Sequence, residues 1–161
     1  MNYSIFESAE METVEGESEQ EKMERVIRTV TGADVPSEEE KLRLNDRLRP
    51  EFSSCSFDEK RLTLKYRVRD WMLNPGDTVH GGILTTACDL TMGMTVRYFR
   101  KCRTVVTAQL SMDFMGNIGD GGEFLVRAKA EKIGRRTVFT SADVIDAETG
   151  KPMAKATAIF M

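Results

Sequence analysis

The chain has 161 residues, 40% hydrophobic and 30% charged, a size and composition suited to one globular domain with a substantial core. A net charge of −3 and an isoelectric point near 5.4 argue against a general nucleic-acid binder, and no apolar run approaches the roughly 20 residues that a membrane span needs. Three cysteines without a CxxC pair and a single histidine, His80, leave no basis for a disulfide framework, a zinc site or a multi-histidine metal centre.

Residues 1–21 hold seven glutamates and no lysine or arginine, with no sustained apolar period, and are expected to form a solvated, flexible tail. The N-terminus lacks the basic start and apolar stretch of a secretory signal, which together with free thiols points to the cytoplasm. Met23, Val26, Ile27 and Val30 recur at three- and four-residue steps, predicting a helix from about Glu17 to Val30 that Thr31-Gly32 ends. Ser37 with Glu40 fits a capping box ahead of Leu42, Leu44 and Leu48, so a second helix is expected before Pro50. Residues 22–49 thus read as a helical extension, ahead of a main domain at 50–161.

Phe52 to Phe57 predicts a short strand, followed by a turn at Asp58-Glu59-Lys60. Leu62, Leu64, Tyr66 and Val68 then alternate with polar residues, the period of a half-buried strand. Asn74-Pro75-Gly76-Asp77 marks a turn. From Gly81 to Val96 the chain is apolar or small on nearly every side, which predicts a buried helix. Strands are expected at about 104–115, 122–132, 136–146 and 152–160, arranged as a four-strand meander, with Gly116 to Gly122 read as a simple loop. The fold class is α+β, an antiparallel sheet wrapping one central helix.

The segment from Asn74 to Asp89 carries the chemistry. Gly81 and Gly82 stand where a loop enters a helix, and the first N–H groups of a helix have no internal partner. With no side chains in the way, they can meet a substrate oxygen, as an oxyanion hole requires. Asp89 lies in the middle of the apolar helix. Burial there would raise its pKa and suit it to act as a base or nucleophile. Eight residues separate Gly81 from Asp89, roughly 12 Å along the axis at 1.5 Å per residue, too far for both to reach one carbonyl. If they share a site, two such helices must run antiparallel across a twofold axis, with two sites per dimer.

Asn74, then His80-Gly81-Gly82 six residues later, then Asp89 on the helix and Thr107 on the next strand together resemble a known signature. It is that of the hot-dog superfamily, specifically the phenylacetate-degradation-type (PaaI-like) acyl-CoA thioesterases, over about residues 50–160. The resemblance implies hydrolysis of a small, medium-chain or aromatic acyl-CoA by a homodimer paired as a dimer of dimers. Coenzyme A enters as part of the substrate, with no separate cofactor, metal, nucleic acid or membrane. It also implies that the Gly81 N–H polarises the thioester carbonyl and that Asn74 supports it or positions water. Asp89 of the facing subunit would activate water or attack directly, Thr107 would orient the water, and His80 would shape the loop. Gly82 would border the substrate. Lys132, Arg135 and Arg136, three cations at a strand turn, are candidates for the nucleotide phosphates. Two other readings stand beside this one: a non-catalytic acyl-CoA sensor, and a hot-dog hydratase using His80 with Asp89.

Overall fold

The computed structural model describes residues 3–32 and 43–161. Two 3-10 turns, Tyr3–Glu7 and Ala9–Met11, precede α1 (Glu19–Gly32) and a short α2 (Leu44–Leu48). Six strands follow: β1 (Glu51–Ser56), β2 (Arg61–Arg67), β3 (Thr107–Phe114), β4 (Glu123–Ile133), β5 (Val138–Asp146) and β6 (Pro152–Phe160). The long helix α3 (Gly81–Arg100) lies between β2 and β3 in the chain. All strands pair antiparallel in one sheet of order β1-β2-β4-β5-β6-β3, and α3 packs on it against β2 to β6. This is the hot-dog architecture.

Alternation explains why the sheet receives the helix. The buried face carries Tyr66, Leu64 and Leu62 on β2, registered with Phe124, Val126 and Ala128 on β4. Its centre is small, with Ala128 opposite Ala142 and Ala142 opposite Ala156. The helix presents bulk to the core in return: Leu84, Leu90, Met92, Met94 and Val96 are all buried. Small residues under large ones let the two layers interdigitate at interior density. The Tyr66 hydroxyl is hydrogen-bonded to Thr91 Oγ1 at 2.8 Å and lies 3.3 Å from the Ala87 carbonyl, fastening β2 to the middle of α3.

Two expectations change. The last four strands are not one meander: β4, β5 and β6 are, but β3 pairs with β6 at the far edge. Alternation reveals which face of a strand is buried and not which strand lies beside it. The 115–122 segment therefore crosses the end of the sheet. The acidic N-terminus is also not a solvated tail throughout, because Ile5, Phe6 and Met11 are buried in the core. Three apolar residues on two tight turns are too irregular for a helical or strand period to reveal. Ser37, Glu40 and Leu42, the predicted start of the second helix, lie outside the described residues; α2 ends at Leu48, with Arg49 in the left-handed region before Pro50.

Candidate active site

The loop from Leu73 to His80 is built by its own polar groups. Asn74 Oδ1 accepts from the Gly76 N–H at 2.8 Å and the Thr78 N–H at 3.4 Å, and Asn74 Nδ2 donates to Thr78 Oγ1 at 2.9 Å. Asp77 takes a left-handed conformation (φ 55°) inside this turn. Asn74 is thus first a loop-forming residue, with one Nδ2 hydrogen left for a ligand. The 115–122 crossing, read from sequence as a simple loop, braces this turn: Val79 N–H donates to the Ile118 carbonyl at 2.8 Å, and Thr78 bridges Gly119.

His80 is the N-cap of α3. Its Nδ1 accepts from the Gly82 N–H at 2.9 Å, and its carbonyl accepts from the Ile83 and Leu84 N–H groups. With Nδ1 accepting, a neutral His80 carries its proton on Nε2 and offers a donor there. Gly82 does not present its N–H to a substrate, because His80 holds it. Among the described residues no acceptor engages the Gly81 N–H, so it is the first-turn donor still available. The half-exposed Phe114 ring covers Gly81: a Cβ built at Gly81 would lie 3.1 Å from Phe114 Cζ. Sequence reasoning missed Phe114, since a lone aromatic at a strand end carries no pattern.

Asp89 and Thr107 come together as expected. Thr107 Oγ1 donates to Asp89 Oδ1 at 2.6 Å, a short bond typical of a carboxylate acceptor. The full burial expected of Asp89 is not supplied by one chain. It is half-buried and Thr107 is exposed, since β3 is an edge strand with solvent beyond it. Its neighbour Cys88 is fully buried, and burial pushes that thiol up to about 12, so Cys88 is no nucleophile at neutral pH. The two halves remain apart in one chain: Gly81 opens α3 and Asp89 lies two turns along it.

α3 is covered unevenly. Leu90 to Val96 are all buried, whereas Gly81, Gly82, Ile83, Thr85, Thr86 and Asp89 retain exposure. Beside this half of the helix, Val106, Phe114 and Met115 flank the free edge of β3 and are exposed at 57%, 54% and 50%. The free edge of β3 and this half of α3, with Ile83 among its half-exposed residues, thus form one continuous uncovered surface on the single chain.

Lys132, Arg135 and Arg136 do not join either half in the single chain. They are exposed at the β4–β5 turn, which Arg100 at the end of α3 ties down by donating to the Gly134 and Arg135 carbonyls at 2.8 and 3.2 Å. That end is roughly 28 Å from Gly81 at 1.5 Å per residue. Among the described residues no group of three or more His, Cys, Asp or Glu side chains is placed to hold a metal ion, and no helix is long and apolar enough to cross a membrane.

Comparison with known proteins converges on one family. The model of the thioesterase superfamily matches residues 76–153. A provisionally named esterase of Pseudomonas aeruginosa is 33% identical, covering 73% of this chain and 86% of its own length. Acyl-coenzyme A thioesterase THEM4 of Xenopus laevis is 31% identical over 68% of this chain; the match spans half of the frog protein's length. Among solved structures, a mutant of the phenylacetic acid degradation protein PaaI from Thermus thermophilus superposes with a TM-score of 0.63 at 22% identity, covering 71% of this chain and 94% of that one. The protein smu.793 of Streptococcus mutans, bound to acetyl CoA, superposes with a TM-score of 0.62 at 24% identity, covering 75% and 92%. Sheet order, buried helix and sequence matches agree, and the chain belongs to the thioesterase superfamily, whose hot-dog fold it adopts.

Proposed function

We propose that this chain is an acyl-CoA thioesterase, active as a homodimer in which each site draws on both subunits. The observation that carries the reading is the Asp89–Thr107 pair, held at 2.6 Å on the uncovered half of α3. The Gly81 N–H at the start of that same half supports it. Antiparallel apposition of two such half-helices across a twofold axis brings Gly81 of one subunit to Asp89 of the other. It also removes Asp89 from bulk water. The curated relative that acts on acyl-coenzyme A and the acetyl CoA held by the streptococcal neighbour support the substrate class.

In this reading the Gly81 N–H and the helix dipole stabilise charge on the thioester oxygen. Thr107 holds one oxygen of Asp89, leaving the other to take a proton from water. The water oxygen attacks the carbonyl carbon, the C–S bond breaks, and the thiolate leaves to be protonated as free coenzyme A. His80 shapes the loop, and Asn74 sets the turn before it. The cationic β4–β5 turn, with Arg135 and Arg136, meets the nucleotide phosphates of a neighbouring subunit's substrate. No cofactor takes part beyond the coenzyme A of the substrate. The free thiols of Cys55, Cys88 and Cys102 support a cytoplasmic setting.

The test is thiol release from short, medium and aromatic acyl-CoAs, with Asp89→Asn as the comparison. Loss of a positioned base predicts a fall in kcat of about 10²- to 10⁴-fold with the dimer intact by sedimentation. Full activity in Asp89→Asn overturns the assignment. Binding of acyl-CoA without turnover in the unaltered protein favours the sensor reading instead.

A further inference from the structure

The N-terminal turns and α1 enclose a cavity of about 260 Å³ against the last turns of α3. Met11, Phe57, Tyr98 and Phe99 form its apolar wall, and Lys22 and Lys101 line it as well. The rings are mutually packed, with Phe57 and Phe99 centroids 5.6 Å apart and Tyr98 edge-on to Phe99 at 5.2 Å. Two polar groups here lack the partners burial demands. Lys22 is 4% exposed, yet its ammonium, with three donors, hydrogen-bonds only to Thr13 Oγ1 at 3.0 Å among the described residues; Glu17 acts on it electrostatically without a salt bridge. Tyr98 is 3% exposed, and its hydroxyl has no partner among the described residues. A buried cation and a buried hydroxyl left open are each costly unless something binds them.

The nearby carboxylates are hydrogen-bonded elsewhere or face water, and Glu17 and Glu19 act on Tyr98, and Glu17 on Lys22, only through space. Glu7 accepts from the Arg103 N–H at 2.9 Å, and Glu17 is forked onto Arg25 at 2.7 and 2.9 Å. Glu12 and Glu19 are exposed at the rim. A second, more open hollow shares Met11, Lys22 and Lys101 with the first and gives a route in from solvent. The hollow is partly open to solvent, and its volume exceeds the roughly 150 Å³ that holds a benzene ring in an apolar cavity. It thus suits a ring or short chain plus one small anionic group.

We propose that this cavity is a second binding site, for a small monocarboxylate with a compact apolar or aromatic tail. The carboxylate sits on the Lys22 and Lys101 ammonium groups with the Tyr98 hydroxyl donating to it, and the tail lies against Phe57 and Phe99. A single negative charge balances Lys22, whereas a phosphate dianion meets the exposed glutamates of the rim with greater repulsion. Tyr98 lies nine residues beyond Asp89, roughly 13 Å along α3, so the site is separate from the Asp89–Thr107 pair and does not depend on its assignment.

Calorimetric titration of the full chain with benzoate and hexanoate tests this, with inorganic phosphate and benzyl alcohol as controls. One benzoate per chain is expected, retained in Asp89→Asn. Affinity falls about tenfold or more in Lys22→Met, by loss of a charge-assisted hydrogen bond, and about threefold or more in Tyr98→Phe. Lys22→Met keeps the length and apolar stem of the side chain, and Tyr98→Phe removes one oxygen that has no internal partner, so Tyr98→Phe decides the matter if Lys22→Met does not fold. No saturable binding of either acid overturns the proposal. So does binding that both variants leave unchanged or that Asp89→Asn abolishes. Phosphate or benzyl alcohol binding as tightly as benzoate overturns the pairing of one carboxylate with an apolar tail.

Discussion

The Gly81 backbone N–H is the oxyanion donor of the proposed site, and it can be removed without touching a side chain. Gly81 is the first helical residue after the N-cap, the one helix position where proline is well accepted. The preceding His80 already has φ −61° and ψ 134°, the extended geometry a following proline requires. Gly81→Pro is therefore expected to preserve the fold, with the half-exposed Phe114 ring shifting to make room, and to lose about 10²- to 10³-fold in kcat, the range for one oxyanion donor. Circular dichroism checks the fold and thiol release checks the rate. Retained activity would place the donor elsewhere. The Asn74, His80, Gly81 and Asp89 spacing was legible, since spacing is all a motif contains. The engagement of the Gly82 N–H by His80 Nδ1 was not, because it depends on the rotamer of an N-cap side chain.

α3 is legible as a buried helix because its composition is apolar all round, and it runs from Gly81 as expected. Its uneven cover is not legible: nothing in the residue types distinguishes the half that the chain itself buries from the half left open. The helix is anchored to the sheet by Tyr66, whose hydroxyl reaches Thr91 and Ala87 from β2. In Tyr66→Phe the Thr91 hydroxyl keeps its own bond to the Ala87 carbonyl at 2.8 Å, so no buried group is orphaned. The expected loss is about 1 kcal/mol, a fall in melting temperature of roughly 2–4 °C by calorimetry. A much larger loss would mean that the Tyr66 hydroxyl also orders the helix register. The strands behave similarly. Their period of two was visible, and Phe124, Val126 and Ala128 face the core as alternation requires. The placement of β3 beside β6 was not, because pairing is decided by the crossing at 115–122 and its bonds to Val79 and Met153.

At the scale of the whole molecule, the proposed division of each site between two subunits makes a prediction that no single-subunit enzyme shares. Asp89→Asn and Gly81→Pro each damage a different half. When the two inactive proteins are mixed and their subunits exchanged, a heterodimer holds one site with both defects and one with neither. Activity is expected to return, to about one quarter of the unaltered level at equal mixing if subunits pair at random. Absence of recovery, with exchange confirmed by mass spectrometry, would place both halves in one chain. The residue order alone was enough to establish the fold class, the central helix and the spacing of Asn74, Gly81, Asp89 and Thr107, since hydrophobic period and motif spacing are local properties of the chain. Only the tertiary structure decided that β3 lies at a free edge, that Asp89 meets Thr107 at 2.6 Å on the open half of α3, and that the acidic N-terminus folds back over the helix end to enclose Lys22 and Tyr98. Each of these joins residues far apart in sequence, and such contacts are selected by packing of the complete core, which no local pattern records.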